Sequence, residues 1–280
     1  MRHRRGFTLL ELMASLAVIA ILASIFVPYA LSLRESARRT QCANNLMVIR
    51  DALLAYARDN NSMFPRVRWD EQGNPNSYTA YTGADDPDPF AEESAVAPND
   101  VTASLWLLMR QGLITDLAVF ICPSAGGVPE QITGDPRSRG NFRSRAGLTY
   151  SYSSPFSNAD WYRMNDTQPA DFALMADMNP GIAGDGDDVT GVRHDDKPRR
   201  LMRGNSNNHA KVGQNVLYAS GHVQFQTTPY CGNKRDNIYT VLARRPHWSL
   251  GVPPAAPGYF GRDVGASWMG DSYLVPSDDE

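Results

Sequence analysis

Three observations predict an α+β fold in which one long N-terminal helix packs on a small antiparallel sheet. Leu12 to Leu33 runs without a charged side chain. From Arg34 to about Asn60, apolar residues recur at three- and four-residue steps. Beyond that, short strand-like runs alternate with Gly and Pro clusters, the pattern of a modest antiparallel sheet. At 280 residues, with 42% hydrophobic and 20% charged content, the chain can bury one sizeable core. A net charge of -3 and a pI near 6.0 lack the clustered basic excess of a nucleic-acid binder, so no nucleic-acid partner is expected.

The first element is the uncharged run. A helix from Leu12 to Leu33, at ~1.5 Å per residue, is about 33 Å long, enough to cross a hydrocarbon core of ~30 Å. Arg2, Arg4 and Arg5 stand before it. A secretory signal peptide also pairs a basic start with an apolar stretch, but its apolar part spans only ~7 to 15 residues. Residues 7–33 are therefore assigned as a single-pass membrane helix. Arg34, Arg38 and Arg39 on its far side leave the orientation undecided by charge alone.

The helix should continue past the membrane. Ala43, Leu46, Ile49, Leu53 and Tyr56 form one apolar face, so Thr8 to about Asp59 reads as one helix whose second half packs on a globular domain, residues 34–243. Asp59-Asn60-Asn61-Ser62, with Pro65 beyond, ends it. Asn74 to Asn99 is rich in Pro, Gly and acidic residues and reads as a mobile surface loop. A short helix follows, capped by Asn99 or Asp100, apolar at Leu105, Leu108 and Met109, and ended by Gly112. Strands are expected at Val119 to Cys122, Leu148 to Ser153, Phe172 to Met178, Asn215 to Ala219 and His222 to Gln226. Residues 244–280 are a Pro-, Gly- and aromatic-rich extension whose Trp248, Tyr259, Phe260, Trp268 and Tyr273 either cover a sheet edge or bind a partner.

The basic start followed by Gly6-Phe7-Thr8-Leu9-Leu10-Glu11 resembles the cleavage and methylation site of type IV prepilins and type II secretion pseudopilins. The resemblance implies that residues 1–6 are a leader removed by a prepilin peptidase between Gly6 and Phe7 on the cytoplasmic face, and that Phe7 is then N-methylated. Loss of Arg2, Arg4 and Arg5 with the leader would shift the formal charge from -3 to -6. It further implies an inner-membrane precursor with a cytoplasmic N-terminus and a periplasmic domain, extracellular once in a pilus. Its partners would be like or related pilin subunits and the secretion or pilus assembly machinery. A carboxylate at the centre of a membrane helix costs roughly 2.5 to 3.5 kcal/mol, although one turn into the helix Glu11 can reach the headgroups. The resemblance gives it a purpose, pairing with the Phe7 amine of a neighbouring subunit. Pro28 matches the position at which pilin helices carry a proline, and by itself it simply kinks a helix.

A second resemblance spans most of the chain. Cys42-Ala43-Asn44-Asn45-Leu46, Phe120-Ile121-Cys122-Pro123-Ser124, Tyr150-Ser151-Tyr152-Ser153, Ala176-Asp177-Met178-Asn179-Pro180 and Gly213-Gln214-Asn215-Val216-Leu217-Tyr218 look like a bacterial pseudopilin-like family named for a His, nine-residue spacer, Asp-Gly signature. Here the signature is altered: ten residues separate His209 from Ser220-Gly221-His222, and Ser220 stands where Asp is usual. Read physically, Val216 to Phe225 is a hairpin with Gly221 supplying a positive φ. The competing reading pairs His209 with His222, supported by Asp177, as a metal or catalytic site. It lacks any HExxH or nucleophile-elbow spacing, so no catalytic residue is assigned and the chain is not expected to be an enzyme.

Two further groups carry chemistry. Asp185, Asp187 and Asp188 are calcium candidates, because carboxylates in a Gly-containing loop supply hard oxygen ligands and the major pseudopilins bind Ca²⁺ in such a domain. A solvated acidic turn is the competing reading. Of three cysteines, Cys42 and Cys122 lie in the family-like segments and are the disulfide candidates, leaving Cys231 free; three buried thiols are the alternative. The function expected is a structural subunit of a type IV pilus-like or type II secretion pseudopilus filament. A membrane-anchored periplasmic binding module, such as a minor pilin that takes substrate or polysaccharide, is the alternative.

Overall fold

The computed structural model describes residues 8–160, 162–241 and 258–280; Gly6, Phe7 and Trp248 lie outside them. Helix α1 covers Leu9–Asp59 with Pro28 inside it. Its termination is local chemistry: Asn61 and Ser62 adopt positive φ, the Ser62 N–H donates to Ala57 O, and the Asn60 side-chain amide donates to Tyr56 O. The chain divides into two compact units, Met1–Arg38 and Arg39–Glu280.

Within the larger unit, α1 buries Cys42, Leu46, Ile49, Ala52, Leu53, Tyr56 and Ala57. Their spacing of three and four residues places them on one face, and Leu46 and Leu53 are completely buried, each contributing on the order of 2 kcal/mol by removal from water. The expected stripe is displaced by one residue at its start, with Cys42 rather than the half-buried Ala43 facing inward. Helix α2, Val101–Arg110, is capped by Asp100, whose carboxylate accepts the Ala103 N–H at 2.8 Å, and Gly112 follows at φ +70. The segment from Asn74 to Asn99 is irregular as expected, yet it is pinned by burial of Tyr78 and Val96 and by Arg68 donating to Val96 O.

The sheet has strand order β4-β3-β2-β1-β5, antiparallel throughout: β1 Tyr150–Ser153, β2 Ala173–Asp177, β3 Gln214–Tyr218, β4 Val223–Gln226 and β5 Leu274–Val275. Alternate residues serve two apolar layers. Met175, Leu217 and Val275 join the core that includes the second half of α1, while Ala176, Val216 and Leu274 join a smaller one with Val189, Ile238 and Tyr239.

One expectation needs correction, and one pair of alternatives is decided in favour of covering the sheet edge. Val119 to Cys122 is no strand: Asp116 accepts the Ala118 N–H and caps a 3-10 turn over Leu117–Phe120, after which the Cys122 N–H donates to the Thr149 hydroxyl. The described part of the aromatic extension, 258–280, is woven into the domain. Its β5 pairs with β1, Tyr273 is fully buried, and Trp268 is nearly so.

Candidate functional site

The first candidate region begins at Thr8. Its hydroxyl accepts the Glu11 N–H at 3.2 Å, and Glu11 reaches back to accept both the Thr8 N–H at 2.9 Å and the Thr8 hydroxyl at 2.8 Å. This reciprocal arrangement is a capping box, which satisfies helix-end donors that otherwise lack partners. Downstream, every side chain from Thr8 to Tyr29 is exposed. Leu9 and Leu10 retain 77% and 79% of their surface, and Ile19, Leu22, Ile25 and Phe26 are similarly bare. A helix that is apolar all round and unburied needs lipid or other helices around it. By length and composition it can cross a membrane.

The second region is buried. A disulfide joins Cys42 on α1 to Cys122, with Cα atoms 5.0 Å apart across a separation of 80 residues. His209 sits beside it: Nε2 is 3.6 Å from Cys122 Sγ, 3.2 Å from Asp177 Oδ2 and 3.2 Å from Asn215 Nδ2. Asp177 accepts the Asn215 N–H at 2.6 Å and the Asn208 side-chain amide at 3.3 Å, so its buried charge is met by donors on several sides. That charge and burial together push the Tyr150 and Tyr239 hydroxyls well above the ordinary tyrosine range, burial being the larger cause. Cys231 lies apart, its thiol pushed up to about 12 by burial.

The other candidates are turn chemistry. Gly221 has φ +85 between β3 and β4, its N–H donates to Tyr218 O, and its carbonyl accepts from Arg50 Nη1 at 3.0 Å, tying the hairpin to α1. Ser220 and His222 are exposed; Ser220 Oγ is 2.6 Å from His222 Nδ1, and the His222 ring stacks on Tyr218. His222 therefore stays on the surface, and only His209 meets Asp177. In the acidic loop, Lys211 Nζ lies 2.7 Å from Asp187 Oδ1 and donates to Asp185 O, while Asp188 accepts the Gly191 N–H of its own turn. An ammonium group in that place does not fit a calcium ion. Among the described residues, the one group of three or more metal-ligand side chains within 4.8 Å is Cys42, Cys122, Asp177 and His209.

Residues 1–27 match the family model described as the prokaryotic N-terminal methylation motif, and residues 31–183 match the one described as a protein of unknown function, DUF1559. The chain is 31% identical to the type II secretion system core protein G of Klebsiella pneumoniae over 46% of this chain and 91% of that protein. Its counterpart in Aeromonas hydrophila is 27% identical over 42% of this chain and 82% of that protein. The one from Pectobacterium carotovorum is 29% identical over 42% and 74%. The chain belongs to the DUF1559 family and is a core protein G relative. No solved structure matches it. The DUF1559 match includes Cys42, Cys122 and Asp177 of this core protein G relative and stops before His209, so the altered His209 to Ser220-Gly221 spacing lies outside it. The Thr8-x-x-Glu11 spacing was a readable capping signal. Asn208 and Asn215 carried none, since their partner Asp177 is more than 30 residues away.

Proposed function

We propose that this chain is a structural subunit of a type II secretion pseudopilus-like filament, anchored in the inner membrane through residues 7–33 and released for assembly by a prepilin peptidase that cuts after Gly6 and leaves methylated Phe7. The globular domain lies on the periplasmic side in this reading. What carries it is the helix surface: an unburied, all-round apolar stretch whose single charge is Glu11, one turn in, on a chain related to core protein G. Packing such helices against one another removes that surface from contact with lipid. Glu11 then faces a new amine at Phe7 of a neighbour, and a buried charge left unpaired would cost on the order of 3 to 5 kcal/mol.

The capping box supplies the discriminating experiment. Glu11→Gln keeps an oxygen that accepts the Thr8 N–H but carries no charge, whereas Glu11→Ala loses both. Cells producing equal amounts of cleaved protein are sheared, and filament-associated protein is measured. Both variants should insert as well as the wild type and both should fail to assemble. Normal filaments with Glu11→Gln but not Glu11→Ala would make Glu11 a helix cap only, equal yields from all three would remove Glu11 from assembly, and absence of the wild-type protein from the sheared filaments would refute the filament reading.

One observation favours the binding-module alternative. A cleft of about 740 Å³ has among its lining residues Arg66, Trp69, Glu71, Asn158, Asp160 and Arg163. Arg66 stacks over Trp69 with the Glu71 carboxylate favouring its charge, and Arg163 donates to Tyr162 O. In that reading the cleft takes an acidic ligand, and Arg66→Ala with Arg163→Ala abolishes retention on a polyuronate column while filament yield is unchanged.

A further inference from the structure

The geometry around the buried disulfide points to a second state of the same four side chains: we propose that, once the Cys42–Cys122 bond is reduced, Cys42, Cys122, His209 and Asp177 form a closed four-coordinate site for a Zn²⁺-type cation. Their ligand atoms already lie within 4.8 Å of one another, and all four residues are buried. They come from four separate places in the fold: α1, the segment after the 3-10 turn, strand β2 and the Asn207–His209 turn.

Distances decide how much must move. With Zn–S of ~2.3 Å, Zn–N of ~2.0 to 2.1 Å and Zn–O of ~2.0 to 2.2 Å, a tetrahedral site has S···N edges of about 3.6 Å, N···O edges of about 3.4 Å and an S···S edge of about 3.8 Å. The Cys122 Sγ to His209 Nε2 separation is 3.6 Å, and Nε2 to Asp177 Oδ2 is 3.2 Å. Those two edges are in place, so opening the sulfur pair is the main adjustment on this side of the cluster.

The histidine faces the cluster with one ring nitrogen: Nε2 lies within reach of both the Cys122 sulfur and the Asp177 carboxylate. Asn215 and Asn208 hold Asp177 from outside, as second-layer donors do for a metal-bound carboxylate; Asn215 gives up its contact with Nε2 when the metal arrives.

Reduction takes two electrons and two protons from a dithiol, which leaves as its own disulfide, and cleaves the S–S bond to two thiols. The cation then displaces both thiol protons to solvent, while neutral His209 donates its Nε2 lone pair. Two thiolates, one carboxylate and a divalent cation sum to -1, and with four protein ligands there is no open position for catalysis.

The test uses full-length protein in detergent carrying Cys231→Ser, so that only the two cluster thiols remain. After anaerobic reduction with a phosphine, Co²⁺ is titrated as the probe. The reduced protein should take up one equivalent with thiolate-to-cobalt and tetrahedral absorption bands that Zn²⁺ abolishes, and the oxidised protein should take up none. His209→Ala and Asp177→Asn should each weaken binding at least tenfold. Zn²⁺ should also raise the melting temperature of the reduced protein by several degrees, an effect missing in both variants, which keeps the test decisive if reduction loosens the fold. Equal uptake by oxidised and reduced protein, or affinity and melting unchanged in both variants, would overturn the site.

Discussion

Leu9 to Arg38 and Arg39 to Asp59 are both helical, yet their side chains meet opposite fates. The second stretch buries seven residues against the domain, centred on Cys42, Leu46, Ile49 and Leu53. The first buries none, although it is the more apolar of the two. Helical backbone is common to both, so hydrophobicity alone does not say where a helix packs. Periodicity does: a one-sided stripe with Arg50 and Arg58 outside it packs within the chain, and an all-round apolar surface is reserved for something outside it.

The comparison breaks first on core truncation. Leu46→Ala should destabilise the domain by about 2 to 5 kcal/mol, the range for deleting a buried leucine side chain. Leu16→Ala, the same chemical change on the exposed stretch, should leave domain unfolding in denaturant unchanged. Similar losses from both would mean the two stretches are energetically one. The disulfide comes next. It closes a loop of 80 residues, and breaking it by reduction or by Cys42→Ser should cost about 2 to 4 kcal/mol of domain stability in the same denaturation assay. An unchanged midpoint would show that α1 is held in place without the disulfide.

A smaller, pH-dependent effect also belongs to the domain alone. Asp236 is buried, and burial first, then the neighbouring Asp271 carboxylate, holds its pKa well above the usual aspartate range. A folded pKa raised above the unfolded value gives stability that is complete below about pH 3.9 and is lost as pH rises through the folded value. Domain stability should therefore decline from mildly acidic pH toward neutrality. Asp236→Asn keeps an acceptor for the Ser272 N–H and should flatten that decline, as read from melting temperatures across the pH range. A variant with an unaltered slope would place the titration elsewhere.

Much of this division was readable in advance. The uncharged run and the stripe located α1 to within a residue at each end, and Asp100 and Gly112 bracketed α2 because capping is local. Strands β1 to β4 fell inside or within a residue of their expected runs. Val119 to Cys122 misled because a β-branched, apolar tetrapeptide looks the same in a strand as in a buried turn, and Asp116 tipped it to the turn. Strand β5 is only two residues long and pairs with a partner some 120 residues earlier, so nothing local announces it. The site shows the same limit. Cys42, Cys122, His209 and Asp177 stood out as residues, but their meeting in one place did not: Asn215 reaches Asp177 through the pairing of β2 with β3, and Lys211 enters the acidic loop from 24 residues beyond Asp187.

The smallest expected effect lies at Gly221, where the hairpin meets α1. With φ at +85, an added Cβ is strained against the backbone, a cost of roughly 1 to 2 kcal/mol for an ordinary L residue. The new atom would also come within 3.3 Å of Arg50 Cδ, a side chain able to shift. Backbone conformation should therefore dominate over crowding. Gly221→Ala is expected to cost about 1 kcal/mol, and Gly221→Asn less, because Asn tolerates left-handed backbone despite its greater bulk. Arg50→Ala removes the hydrogen bond to Gly221 O and any crowding together, so it serves as the control background. In that background the Gly221→Ala penalty should persist if φ causes it. A penalty that vanishes with Arg50, or an Asn variant worse than the Ala one, would instead make Gly221 a close-approach residue that lets α1 lie against the hairpin.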